Sequence, residues 1–144
     1  MKKIFIVISS IFIALVVGIS GCLLYSCSAK DKMLVTDFPQ YKNLPNNPTK
    51  IIASFHYQYV GEYVLTDLAE IEQAMKLLFN ESCFIKVPSK APSSWSIAIV
   101  DEKGNQIKIR DTAFYKLNHY NFDCAKLYYF FLNKGIESGV LSQN

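Results

Sequence analysis

An unbroken run without charged residues, from Ile4 to Ala29, constrains this chain more than any other feature of its sequence. Two lysines, Lys2 and Lys3, stand directly before the run. About 20 apolar residues are enough to cross a bilayer, and a signal peptide needs about 7–15 of them behind a basic start. The N-terminus is therefore predicted to enter a membrane, and the rest of the chain has to supply the folded domain.

Small residues close this run at the place where a cleavage site needs them, just before Cys22. The tetrad Ile19-Ser20-Gly21-Cys22 resembles the lipobox of bacterial lipoproteins. The resemblance implies a signal peptide over residues 1–21, cleavage before Cys22, and lipidation of that cysteine with fatty acyl groups such as palmitate.

An uncut membrane anchor is the alternative interpretation of the same segment. Leu23, Leu24 and Tyr25 prolong the apolar run, so that residues 4–25 could form a transmembrane helix with the basic end inside. Both interpretations predict an envelope protein that is attached to a membrane through its N-terminus. Both also place the domain outside the cytoplasm, as in a periplasm.

The charge balance of the chain argues against a nucleic-acid partner. The whole chain has a net charge of +3, with 15 basic and 12 acidic side chains. Removal of residues 1–21 takes two lysines away and leaves 13 basic against 12 acidic side chains. Binding to nucleic acid needs clustered basic residues that displace counterions, and here the lysines are scattered and Arg110 is the only arginine.

The remaining chain divides by composition into a tether, a domain and a tail. Residues 22–49 are predicted to be a tether, since three prolines and several asparagines forbid a regular element there, with Leu34, Val35 and Phe38 as its candidates for packing on the domain. Residues 50–135 are predicted to be the globular domain, and residues 136–144 a loose tail. The predicted fold class is α+β, with one antiparallel sheet of four or five strands, two helices and the order β-α-β-β-β-(β)-α.

Three elements of this domain have clear local signals. Residues 51–59 alternate between apolar and polar, which predicts a half-buried strand. Asp67 is placed to cap a helix with an apolar stripe, and a polar turn at residues 101–105 predicts a hairpin. A second helix is predicted to start from a cap at Asn121 or Asp123 and to end at Gly135.

Two cysteines of the domain, Cys83 and Cys124, are predicted to form a disulfide, because thiols outside the cytoplasm tend to be oxidised. Such a bridge would help a small domain to remain folded. The alternative is that both are buried thiols that pack as small apolar side chains.

No group of residues in this sequence predicts catalysis, a metal site or a cofactor. His56 is expected on the polar face of the first strand, and His119 in a loop. No cluster of His and Cys has the tight spacing of a zinc site, and no glycine pattern predicts a phosphate loop. A Cys124 thiol activated by His119 is a much weaker interpretation than a structural cysteine near an unrelated histidine.

Aromatic residues are the unusual feature of the domain, and they crowd its first strand and its C-terminal third. Tyrosine pairs a large apolar ring with a polar tip and is favoured at interfaces. One interpretation is a binding surface; the other is that the rings fill the core of a small domain. The candidate surface residues are Tyr57, Tyr59, Tyr115, Tyr120, Tyr128 and Tyr129.

The sequence thus predicts a non-enzymatic binding module of the cell envelope that binds a partner there, a protein or a small ligand, through its aromatic-rich surface. Two alternatives stay open: an envelope enzyme whose site is assembled across the fold, and a protein with a purely structural role in the envelope.

Overall fold

Alternating apolar residues build two antiparallel sheets in this protein. The computed structural model describes residues 32–45, 47–88 and 92–144, and the chain divides into two units, residues 1–32 and 33–144. The helices are α1 (Leu68–Asn80) and α2 (Ala125–Glu137), and two short 3-10 turns cover Val35–Asp37 and Pro39–Tyr41. The strands are β1 (Lys32–Leu34), β2 (Lys50–His56), β3 (Tyr59–Leu65), β4 (Cys83–Val87), β5 (Trp95–Val100), β6 (Gln106–Arg110), β7 (Thr112–Tyr115), β8 (Asn118–Asp123) and β9 (Ser142–Gln143).

The α+β class and the two helices confirm the sequence prediction, but the described strands form two sheets rather than one. The larger sheet has the order β6-β5-β2-β3-β9, and the smaller has the order β1-β4-β8-β7. The chain changes sheet between Arg110 and Thr112, where β6 ends and β7 begins. The smaller sheet has a buried apolar face of its own. Phe84 of β4 lies opposite Phe122 of β8, and both side chains are buried.

The larger sheet is organised around β2, which pairs with β3 on one side and β5 on the other. The predicted strand is confirmed in part: Ile51, Ala53 and Phe55 are buried and His56 is exposed, but Ser54 is buried as well, and the strand ends at His56 instead of running to Tyr59. The predicted hairpin is confirmed as well, with Ile97 of β5 opposite Ile109 of β6.

Helix α1 begins as the sequence predicts. The Asp67 side chain accepts a hydrogen bond from the backbone N–H of Glu70 at 3.0 Å, which satisfies one of the free donors of the first turn. Ile71, Ala74 and Leu78 form its buried stripe. The two helices contact each other, and Lys134 of α2 forms an ion pair with Glu70 of α1.

Part of the predicted tether belongs to the folded domain. Val35, Phe38, Tyr41 and Leu44 are all buried, and Phe38 is 0% exposed. The prolines do not prevent this packing, because Pro39 occupies the first position of a 3-10 turn, where its missing N–H is not needed. The domain therefore starts well before residue 50.

The C-terminal residues also differ from the predicted loose tail. Helix α2 continues through Gly135 to Glu137, and the left-handed residue that follows it is Gly139, with φ of 74°. Gly135 is instead a contact point, since an added Cβ there would clash with the Leu141 side chain. Leu141 is buried, and Ser142–Gln143 pair with β3, so the tail closes the edge of the larger sheet.

The start of α2 lies later than either predicted cap. Asn121 and Asp123 belong to β8, which pairs with β4 on one side and β7 on the other. The N-cap is Cys124, whose side chain makes no capping hydrogen bond. The sequence signal was obscured because polar residues of β8 alternate with Tyr120 and Phe122, whose side chains are buried.

The N-terminal apolar segment, including Cys22 and the two alternatives 1–21 and 4–25, lies outside the described residues. Within residues 32–45, 47–88 and 92–144, no helix is long and apolar enough to cross a membrane.

Candidate functional site

The six candidate tyrosines divide into two groups in the fold. Tyr115 and Tyr120 pack around Phe38, with ring centroids 5.5 Å and 5.3 Å from its ring. Tyr120 is buried and Tyr115 is half-buried. These two tyrosines are core residues of the smaller sheet, as the core-filling interpretation expected.

The other four tyrosines lie at the hairpin between β2 and β3 and on the first turns of α2. Tyr57 stands in the hairpin turn and Tyr59 begins β3. Tyr128 lies beside Tyr129, with ring centroids 5.4 Å apart. Tyr57 is 77% exposed and Tyr129 is 58% exposed, whereas Tyr59 and Tyr128 are half-buried. We call Tyr57, Tyr59, Tyr128 and Tyr129 the tyrosine face.

Tyr128 fixes this face to the core. Its ring lies edge-on to Phe55 at 5.6 Å and to Trp95 at 5.3 Å, an arrangement that aromatic rings prefer. Burial raises the pKa of the Tyr128 hydroxyl, and the neighbouring Tyr129 and Tyr59 raise it further. The hydroxyl therefore stays protonated at neutral pH and can donate a hydrogen bond.

Asp111 connects the two sheets at the point where the chain crosses between them. Its backbone N–H donates to the Trp95 carbonyl of β5, and its carbonyl accepts from the Phe122 N–H of β8. Its side-chain Oδ2 accepts three more hydrogen bonds: from Ser94 N at 2.6 Å, from Ser94 Oγ at 2.7 Å and from Trp95 N at 3.3 Å. Asp111 thus links the start of β5 in the larger sheet to β8 in the smaller sheet.

A hollow of about 420 Å³ opens beside Asp111, and we call it the junction hollow. Tyr128 belongs both to its lining and to the tyrosine face. The hollow is therefore continuous with the aromatic surface. Its described lining residues are Pro92, Ser94, Trp95, Asp111, Thr112, Asn121, Phe122, Asp123, Cys124, Ala125 and Tyr128.

A second hollow, of about 450 Å³, adjoins the first. The two share Pro92, Thr112 and Asn121 in their linings. The second hollow differs in charge, since Arg110 and His119 line it.

No disulfide joins Cys83 and Cys124 in the part of the chain that the structure describes, although Cys83 lies opposite Asp123, the residue next to Cys124. Cys124 is buried, and its thiol lies 3.5 Å from the Phe122 carbonyl. Burial raises the pKa of the Cys124 thiol, and the nearby carboxylates of Asp123 and Asp111 raise it further. This environment disfavours the reactive thiolate.

The structure separates His119 from Cys124. His119 lies in β8 rather than in the predicted loop, and its ring packs against Phe114 at 5.1 Å. Five residues of extended chain span about 16 Å, which is too far for an imidazole to take the thiol proton. Among the described residues, no group of three or more His, Cys, Asp or Glu side chains is placed to hold a metal ion.

Sequence reasoning missed Asp111 and Ser94 and took Asn121 for a helix cap. Asp111 had no local signal, because its partners Ser94 and Trp95 lie 17 and 16 residues earlier in the chain. The only available indication was a single acidic residue between two strand patterns.

Comparisons of this chain with protein-family models, with curated proteins and with solved structures give no match.

Proposed function

We propose that this chain is a membrane-anchored protein of the cell envelope whose domain binds a partner, a protein of the same compartment, through the tyrosine face. The observation that carries the proposal is the pair Tyr128 and Tyr129 on α2, whose Tyr128 ring packs on Phe55 of β2, the strand that leads into the turn with Tyr57 and on to Tyr59. The two outermost, Tyr57 and Tyr129, are largely exposed to solvent.

Single exposed apolar side chains are ordinary on protein surfaces and need no explanation. A group of tyrosines beside a hollow is different, because tyrosine and tryptophan dominate the energetic centres of protein interfaces. Tyr128 packs on Phe55 and Trp95, so part of this face is already ordered before a partner arrives. A rigid aromatic anchor loses little conformational entropy on binding.

The proposed role is non-enzymatic. Cys124, which lines the junction hollow, is buried, has a raised thiol pKa and follows the end of β8, five residues after His119. The membrane attachment is proposed to be acylated Cys22.

Site-specific photo-crosslinking in the membranes of the host tests the proposal. A photoreactive phenylalanine derivative is introduced at Tyr57 or at Tyr129, one position at a time, in the full chain. Leu68 and Leu117 serve as matched control positions, since both are exposed apolar residues outside the tyrosine face.

Adducts of one common mass are expected from positions 57 and 129 and from neither control position. Replacing the remaining tyrosine of that pair with serine is expected to weaken the adduct, because both rings contact the same partner. Equal adducts at all four positions, or none at positions 57 and 129, would overturn the proposal.

A further inference from the structure

The hairpin between β7 and β8 ends in a two-residue turn of unusual composition. Tyr115 lies opposite Asn118, so that Lys116 and Leu117 form the turn, and both have positive φ, of 47° and 63°. Such a turn favours asparagine and glycine, because the Cβ of most other residues is strained at positive φ. Lysine and leucine therefore make this turn less stable than it could be, and strain of this kind concentrates at functional sites.

The same turn exposes apolar side chains. Leu117 is 89% exposed, the highest value for a large apolar residue in the described part of the chain. Phe114 is 57% exposed and lies opposite His119, which in turn lies opposite Val87. Because paired residues of antiparallel strands project to the same side, Phe114, His119 and Val87 share one face of the smaller sheet. We call Phe114, Lys116 and Leu117 the hairpin tip.

The charges around the hairpin tip are basic. Lys116 belongs to it, the exposed Lys86 lies in the neighbouring strand β4, and the exposed Arg110 lines one hollow together with Phe114. None of these three basic side chains forms an ion pair with a described residue. The one acidic residue of β7 and β8, Asp123, ends β8 about 17 Å from the turn. The hairpin tip thus presents apolar side chains within a positive surface.

We propose that the hairpin tip inserts into the surface of an anionic lipid bilayer, with Leu117 and Phe114 among the acyl chains and Lys116 at the level of the phosphates. The inference rests on the proposed function in one respect, since the membrane attachment keeps the domain beside a bilayer. Apolar side chains flanked by basic ones are typical of segments that lie in a membrane surface. Lysine suits this position, because its stem is apolar while its ammonium reaches the polar headgroups.

The small size of the hairpin tip favours a lipid surface over a protein partner. A stable protein interface buries about 800 Å² on each side and is centred on well-packed anchor residues. Two apolar side chains at a projecting turn are too few for such an interface. A bilayer accepts a narrow projection without a complementary pocket, and its anionic headgroups attract the basic residues around it.

Quenching of tryptophan fluorescence by brominated lipids measures the insertion. Leu117→Trp is prepared in the full chain, which is reconstituted into vesicles of phosphatidylcholine and phosphatidylglycerol with bromine on the acyl chains. The native Trp95 gives the same background in every variant, since it is 4% exposed. Leu68→Trp is the matched control, because Leu68 is 71% exposed on α1, outside the smaller sheet.

Strong quenching is expected for Leu117→Trp, and quenching no greater than that of the unchanged chain for Leu68→Trp. Phe114→Trp is a second reporter with the same expectation as Leu117→Trp, and it keeps the test decisive if that variant fails to fold. Absence of quenching at positions 114 and 117, or equal quenching at position 68, would overturn the inference.

Reversal of the charge at Lys116 tests the contribution of the headgroups. Each basic residue near an anionic surface contributes about fivefold to binding, so that Lys116→Glu added to Leu117→Trp is expected to lower the insertion equilibrium by about tenfold or more. Lys103→Glu is the matched control, because it makes the same change of charge in the exposed turn between β5 and β6. Equal effects of the two reversals would count against insertion at Lys116.

Relief of the strained turn separates a role in binding from a role in stability. Lys116→Asn together with Leu117→Gly, in the Phe114→Trp background, is expected to raise Tm, since these residues suit a turn with two positive φ values. Quenching is expected to fall severalfold, because the apolar and basic side chains are removed. A lowered Tm with unchanged quenching would show that the turn residues are structural and would overturn the inference.

Failure of this inference is distinguishable from failure of the proposed function. A chain that floats with the vesicles but shows no quenching at position 117 contradicts the inference alone, whereas a chain that does not float contradicts the membrane attachment as well. Loss of the crosslinks at positions 57 and 129 concerns the tyrosine face only. A protein adduct at position 117 in that crosslinking experiment would assign the hairpin tip to a protein partner and would overturn the inference.

Discussion

Replacement of Phe38 by alanine is expected to lower the free energy of unfolding of the domain by about 4 kcal/mol, the largest effect of any single substitution considered. The Phe38 ring is 0% exposed and lies at the centre of an aromatic cluster. Its centroid is 4.4 Å from that of Phe84 and within 6.0 Å of those of Tyr41, Tyr115 and Tyr120. Removing it leaves a cavity that these rigid rings cannot close by small shifts.

Urea unfolding of the full chain in neutral detergent, followed by tryptophan fluorescence, measures this change. Phe114→Ala is the matched control, because Phe114 is 57% exposed in β7, a strand of the smaller sheet on which Phe38 packs. A loss below about 1 kcal/mol is expected for that control. Similar losses for the two variants would mean that Phe38 does not stabilise the domain and that residues 33–44 behave as a tether.

Asp111→Ala is expected to lower the free energy of unfolding by about 3 kcal/mol, the second largest effect. The substitution removes a half-buried carboxylate that accepts three hydrogen bonds from Ser94 and Trp95. Hydrogen bonds to charged groups contribute about 1.5–3 kcal/mol, and the donors at the start of β5 lose this acceptor in the variant.

Asp101→Ala provides the comparison for Asp111→Ala. The Asp101 carboxylate also accepts three hydrogen bonds, from the backbone of Lys103 and Asn105 and from the Asn105 amide, but in an exposed turn where water can replace them. A smaller loss in the same urea measurement is therefore expected. If Asp111→Ala lowers the free energy of unfolding by no more than Asp101→Ala does, the junction between the sheets does not depend on the Asp111 carboxylate.

The elements that the sequence predicted well are those whose signals are local. The Asp67 cap of α1 and the hairpin of β5 and β6 each depend on residues within one short stretch. The pairing of strands is not local, which explains why one sheet was predicted and two were found. Strand β4 pairs with β8, more than 30 residues later, and no pattern inside either strand names its partner.

Two features of the fold were misjudged because side chains can have more than one structural role. Gly135 was predicted to end α2, but it lies within the helix, where its missing side chain makes room for Leu141. Asn121 was predicted to be a cap, but it lies in the central part of β8. A glycine can end a helix or allow a close contact, and an asparagine can cap a helix or lie in a strand. Only the packing around the residue decides which of these roles it has.

The candidate site was predictable in part. The excess of tyrosine was visible in the sequence, but the division between core and surface depends on burial: Tyr120 is buried whereas Tyr57 is exposed. Asp111 could not be distinguished from Asp101 by sequence, since each follows a strand and precedes a polar residue. Their difference lies in the distant partners that the fold brings to Asp111.

The measurement that tests the central claim of membrane anchoring most directly is the intact mass of the protein recovered from the membrane fraction of its host. A mass that matches residues 22–144 plus fatty acyl chains is expected, and Cys22→Ser is expected to abolish that form. A mass that matches residues 1–144 in the membrane fraction would mean that an uncut anchor over residues 4–25, and not a lipid, holds the protein in the membrane. Recovery of the chain from the soluble cytoplasmic fraction, without acyl groups, would contradict the account.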